Sequence, residues 1–109
     1  MSLNVAQLAK DMAAALTGSL KEQVPGIKDY AEAEARKLGQ TLQMIEKLAL
    51  AGKIDEEEAK LHLEIQKNAM RTVLLTIEGL GVLAAEDAIN SALKVVSKTV
   101  NTAIGFALL

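Results

Sequence analysis

The ten residues Ala49-Leu-Ala-Gly-Lys-Ile-Asp-Glu-Glu-Glu58 decide the fold of this chain. Gly52 stands where a helix C-terminus wants a left-handed residue, a conformation glycine adopts at little steric cost. Asp55 then offers a side-chain oxygen to the free N–H groups of a new helix, and Glu58 completes a reciprocal capping box. Glu56, Glu57 and Glu58 place negative charge in the first turn, where the helix dipole favours it. A glycine stop followed within three residues by an acidic start predicts a tight antiparallel helix hairpin at 51–55.

Upstream, Ile27, Ala31, Leu38, Leu42, Ile45 and Ala49 mark one side of a helix over about 26–51. Within it, Lys28–Lys37 is more polar and reads as solvated on most faces. Pro25-Gly26 is the best internal boundary, because Val24 is biased to extended backbone and Pro suits a first helical position. Before it, Asn4 with Gln7 reads as an N-cap and its reciprocal partner, and Val5, Leu8, Ala9, Met12, Ala13 and Leu16 form one apolar stripe. The first helix therefore covers about 4–23, with Gly18 as a stop signal and Ser19 with Glu22 as a turn or restart.

Downstream no proline occurs. Met70, Val73, Leu74, Ile77, Leu80, Ala84, Ala88, Ala92, Val96, Val100, Ala103 and Phe106 follow three- and four-residue steps, with Thr99 beside them. The opposite side (Asp87, Asn90, Lys94, Ser97, Lys98, Asn101) is polar, so 86–107 is amphipathic. Residues 73–85 are apolar almost all round, the mark of a helix buried on several sides. A third helix over about 55–107 would be roughly 80 Å long, about twice its hairpin partner. Gly79 and Gly81 argue for a break near 79–86, at about 1 kcal/mol each inside a helix. The lack of a Ser, Thr, Asn or Asp cap there argues for continuity or a kink, which is the expectation adopted. A strand over 72–77 would have no partner strand. The fold class is all-α: an antiparallel hairpin or bundle of three helices, four if the chain breaks, with a long apolar C-terminal helix in one domain, 1–109.

Half of the 109 residues are apolar, yet the chain has one Tyr (Tyr30), one Phe (Phe106) and no Trp, so the core is aliphatic and alanine-rich. Without Cys there is no disulfide, thiolate nucleophile or thiolate-held metal, which fits a cytoplasmic protein. Net charge is −2; residues 1–68 carry 9 positive and 11 negative side chains, and residues 69–109 only three of each. The first part reads as a solvated helical surface and the second as nearly neutral. Neither has the basic excess or aromatic platforms that nucleic-acid binding needs. Lys10 and Asp11 interrupt any secretory apolar run, and the longest charge-free stretch, 99–109, is 11 residues, well short of a bilayer span.

Candidate chemistry is sparse. His62 shares a helix face with Glu58 and Gln66, but carboxylate-rich bundle sites need a Glu-x-x-His step and further ligands. It reads as a boundary histidine with an acidic neighbour. The acids at 55–58 are explained by capping, without a calcium-loop pattern. Glu78 is a lone carboxylate in the most apolar stretch, facing a narrow solvent stripe with Arg71 or paired across a helix or subunit. Gly79, Gly81, Ala84, Ala85, Ala88 and Ala92 make a small-residue seam for close helix approach. No nucleophile or phosphate-loop context occurs, so no enzyme, cofactor or metal is expected. The surviving expectation is a non-enzymatic interaction or assembly protein. It would self-associate, or meet a protein partner, through Ile77, Leu80, Gly81, Ala84, Ala88, Ala92, Val96, Val100 and Phe106. The alternative is membrane association through residues 70–109, against which stand the missing aromatic belt and the few basic residues on the polar face.

Overall fold

In the computed structural model, residues 3–21, 24 and 26–109 are described. Four helices follow in order: α1 (Val5–Leu20), α2 (Ile27–Leu50), α3 (Glu56–Leu75) and α4 (Val82–Ile104), with no strand among the described residues. They form an up-and-down bundle of 42 × 23 × 18 Å. α1 packs closely on α2 and α4; α3 lies more loosely on the same two helices and does not approach α1.

The hairpin forms as its sequence dictates. The Asp55 carboxylate accepts from the Glu58 N–H at 2.8 Å, and the Glu58 carboxylate accepts from the Asp55 N–H at 3.1 Å. Gly52 sits at φ 71°, the left-handed turn that ends α2. Across the hairpin, the Thr41 hydroxyl donates to Gln66 Oε1 at 3.1 Å, tying α2 to α3 midway along their length.

At α1, Asn4 caps the Gln7 N–H at 3.0 Å, but the box is not reciprocal, because the Gln7 amide turns forward to Asp11 Oδ1 at 2.9 Å. Gly18 does not stop the helix, which continues to Leu20. The restart at Glu22 and the boundary at Pro25 lie outside the described residues; α2 begins at Ile27, after a left-handed Gly26.

The largest departure from the sequence reading is at 76–81. The long 55–107 helix is two helices. Gly79 takes φ 85°, and Gly81 begins α4 with extended backbone and no side-chain cap. Leu80 is buried and Ile77 half-buried, so the loop itself is anchored in the core. Length explains the break. A straight helix would leave α4 beyond any partner, whereas folding back buries Ile89, Leu93, Val96, Val100 and Ile104. At about 1.5–3 kcal/mol for each large aliphatic side chain, that burial outweighs two glycines and a missing cap. The stretch 73–85 is accordingly not buried all round: Val82 and Leu83 are exposed.

The core runs through Met12, Leu16 and Leu20 of α1, Leu38, Leu42 and Ile45 of α2, Met70 and Leu74 of α3, and the inward face of α4. α1 and α2 cross closely at Gly39, where an added Cβ would stand 3.4 Å from the Val5 carbonyl oxygen and 3.8 Å from the Ala9 nitrogen.

Candidate interaction surface

The nine residues expected to mediate self-association do not form a surface. Leu80, Ala88, Ala92, Val96 and Val100 are buried in the monomer's own core. Ile77, Ala84 and Phe106 are half-buried against it, and only Gly81 is exposed. Helical spacing identified an apolar face correctly, but α1 and the other helices cover it. The outward side of α4 is mixed, with Asp87, Ser91, Lys94, Lys98 and Thr102 exposed beside the aliphatic Val82, Leu83 and Val95.

Exposed apolar side chains also occur on α3. α3 buries Ala59, Leu63, Met70 and Leu74 and turns Leu61 and Ile65 to water, at 63% and 67% exposed. These two are one helical turn apart, and Thr72 and the partly exposed Leu75 continue the same face. Glu57 and Glu58 precede the pair, exposed, and Glu64 flanks it in an ion pair with Lys67, so the ridge is apolar with an acidic N-terminal end.

Elsewhere on the bundle, α1 and α2 leave a groove of about 680 Å³. Four alanines line it, Ala9 and Ala13 at its floor and the exposed Ala6 and Ala14 at its sides, and its rim carries Lys10, Lys28, Arg36 and Glu32. Among the described residues none of these three cations makes a salt bridge. A second cleft, about 510 Å³, separates α3 from α4 and holds Lys60, Lys67 and Lys94. Two of its lysines are already paired along α3, Lys60 with Glu56 at 3.5 Å and Lys67 with Glu64 at 3.4 Å. Leu108 and Leu109 close one end of that cleft. They are held by Asn101, whose Oδ1 accepts from both their N–H groups at 2.9 and 3.0 Å.

The remaining singled-out residues serve the fold. Arg71 does not pair with Glu78, which is exposed in the α3–α4 loop; it bonds Glu86 of α4 and Asn68 of its own helix. The Arg71 hydrogen bond holds the Glu86 carboxyl below the usual carboxylate range and raises the guanidinium, against the opposing effect of burial on each. His62 is half-buried, while Glu58 serves the capping box and Gln66 accepts from Thr41. Among the described residues no group of three or more His, Asp or Glu side chains is placed to hold a metal ion.

Among the described residues two carboxylates are buried, both on α2. Glu34 pairs with Lys37 at 3.1 Å. Glu46 Oε1 accepts from the Leu3 N–H at 2.8 Å, and Gln43 donates to the Leu3 carbonyl at 3.3 Å, so this polar pair docks the entry to α1. Glu46 Oε2 has no partner among the described residues.

The ridge was legible in the sequence, since Leu61 and Ile65 fall opposite Ala59, Leu63 and Met70 on a helical projection. The abundance of charge before residue 69 concealed it. No protein-family model, curated protein or solved structure matches this chain.

Proposed function

We propose that this chain is a non-enzymatic helical assembly protein of the cytoplasm that self-associates through surfaces outside its core. The observation that carries the reading is the outward Leu61–Ile65 pair on α3, two large aliphatic side chains one helical turn apart and both left in water. Covering such side chains stabilises a complex by about 1.5–3 kcal/mol each when burial is full. The aliphatic interior, the half-buried position of the single histidine and the two buried carboxylates that serve packing all suit a scaffold.

The insertion reading for residues 70–109 would require their apolar stripe to leave the core, and no described helix is long and apolar enough to cross a membrane. Light scattering behind size exclusion, in detergent-free buffer over a dilution series, tests the proposal. The wild type should exceed monomer mass at high concentration. A Leu61→Ser/Ile65→Ser variant should remain monomeric with unchanged helicity, since exposed substitutions of this kind alter stability by only about 0.5 kcal/mol. A wild type that is monomeric throughout, or a variant that associates equally well, overturns it.

A further inference from the structure

We infer that the α1–α2 groove is the receptor for the α3 ridge of a second copy, giving a head-to-tail contact. This rests on the self-association reading above and names the surface that meets the ridge. Three observations converge. The first is shape. The groove spans Val5 to Thr17 along α1, roughly 18 Å at 1.5 Å per residue. The ridge from Glu57 to Asn68 spans roughly 17 Å on the same rise. An alanine floor leaves room for the leucine and isoleucine that stand out from α3, the usual geometry of a helix laid in a groove.

The second is charge. The groove rim has three cations against one acid, and none of those cations is engaged in a salt bridge among the described residues. The ridge brings Glu57 and Glu58, neither of which pairs with a cation among the described residues, and Glu64, which pairs with Lys67 at the edge of the α3–α4 cleft. Lys60, Lys67 and Arg71 lie farther round α3 toward α4. Opposite potentials on the two surfaces favour this register and disfavour ridge on ridge or groove on groove.

The third is placement. The ridge faces outward from α3, opposite the face that α3 packs on the bundle, and α3 does not approach α1. One chain therefore cannot fill its own groove with its own ridge. Contact between copies is heterologous and propagates into a ring or an open chain. A patch one helix wide and about 18 Å long lies at the small end of protein interfaces, so the assembly depends on concentration.

Charge reversal in full-length protein tests this. Lys10→Glu/Arg36→Glu makes the groove acidic, and Glu57→Lys/Glu64→Lys makes the ridge basic; all four side chains are exposed. Each variant alone should lose association, with its mass falling to that of the monomer where the wild type is at least twice that mass. Mixed in equal amounts, the two should reassemble, since an acidic groove now meets a basic ridge and the unaltered surfaces still match. An uncharged second variant, Ala6→Leu/Ala14→Leu, fills the groove without altering charge and should abolish association equally. A wild type that associates while the groove variants associate as well as it does, or a mixture that stays monomeric, overturns the groove as receptor and leaves the self-association reading standing. A wild type that is monomeric at every concentration overturns both.

Discussion

Replacing Gly79 with alanine separates the broken α3–α4 connection from a continuous helix by the sign of its effect. Gly79 holds φ 85°, where an alanine Cβ meets the backbone at a cost of roughly 1–2 kcal/mol. Beyond the adjacent residues no atom lies within 4 Å of the added carbon, so the cost is local backbone conformation and not a collision with another part of the fold. Stiffening of the unfolded chain offsets about 0.4–1 kcal/mol of it, leaving a net loss of about 1 kcal/mol. In a straight helix the same substitution would stabilise by about 1 kcal/mol. The two geometries therefore differ by about 2 kcal/mol and in direction. Thermal unfolding followed by far-ultraviolet circular dichroism should show Gly79→Ala melting about 4 °C lower than wild type for a chain of this length. Gly81 is the internal control: its backbone, φ −83° and ψ 163°, is open to any residue, so Gly81→Ala should change stability by no more than about 0.5 kcal/mol. A Gly79→Ala protein that melts higher and gains helicity would refute the break.

Two further outcomes concern the ends of α3 and α4. Asn101→Ala removes the acceptor for the Leu108 and Leu109 N–H groups and the donor to the Leu109 carbonyl at 3.2 Å. Net hydrogen-bond worth of about 1 kcal/mol each should translate into amide exchange at Leu108 faster by roughly tenfold or more; unchanged protection there would sink the clamp. The Arg71–Glu86 pair carries a pH dependence. Glu86 has its carboxyl pKa lowered in the folded chain, so the pair's contribution is complete above the ordinary carboxylate pKa and is lost as pH falls through the folded value. The melting-temperature gap between wild type and Glu86→Gln should therefore narrow between about pH 6 and about pH 2, and a gap that stays constant would show the ion pair to be inert.

What the sequence made legible was local. The Asp55–Glu58 box, the Gly52 turn and the Asn4 cap each depend on residues within four positions, and each appears in the structure. The α3–α4 break was not legible because its cause is distant. Gly81 starts a helix with no capping side chain, and the energy that holds it there comes from Ile89, Val96, Val100 and Ile104 meeting helices far back in the chain. The stripe on α4 shows a related limit: spacing reveals that Ala88, Ala92 and Val96 share a face, not what covers them.

The candidate contact has a physical origin in how unevenly this aliphatic chain spends its bulk. α1 has Ala6, Ala9, Ala13 and Ala14 toward its junction with α2, and Gly39 answers them at the closest crossing. Small residues draw the two backbones together, but they cannot fill the outer angle between two cylinders, and a groove remains. α3 has the opposite composition. It carries large aliphatics on two faces, and only the one bearing Ala59, Leu63, Met70 and Leu74 finds neighbours in the bundle. A helix that is apolar on two sides and packed on one leaves a ridge by necessity. Concavity arises where side chains are too small, convexity where they exceed what the core accepts, and the charges flanking each are of opposite sign. Filling Ala6 and Ala14 with leucine should therefore silence the groove as completely as removing Leu61 and Ile65 silences the ridge, with the bundle intact in both.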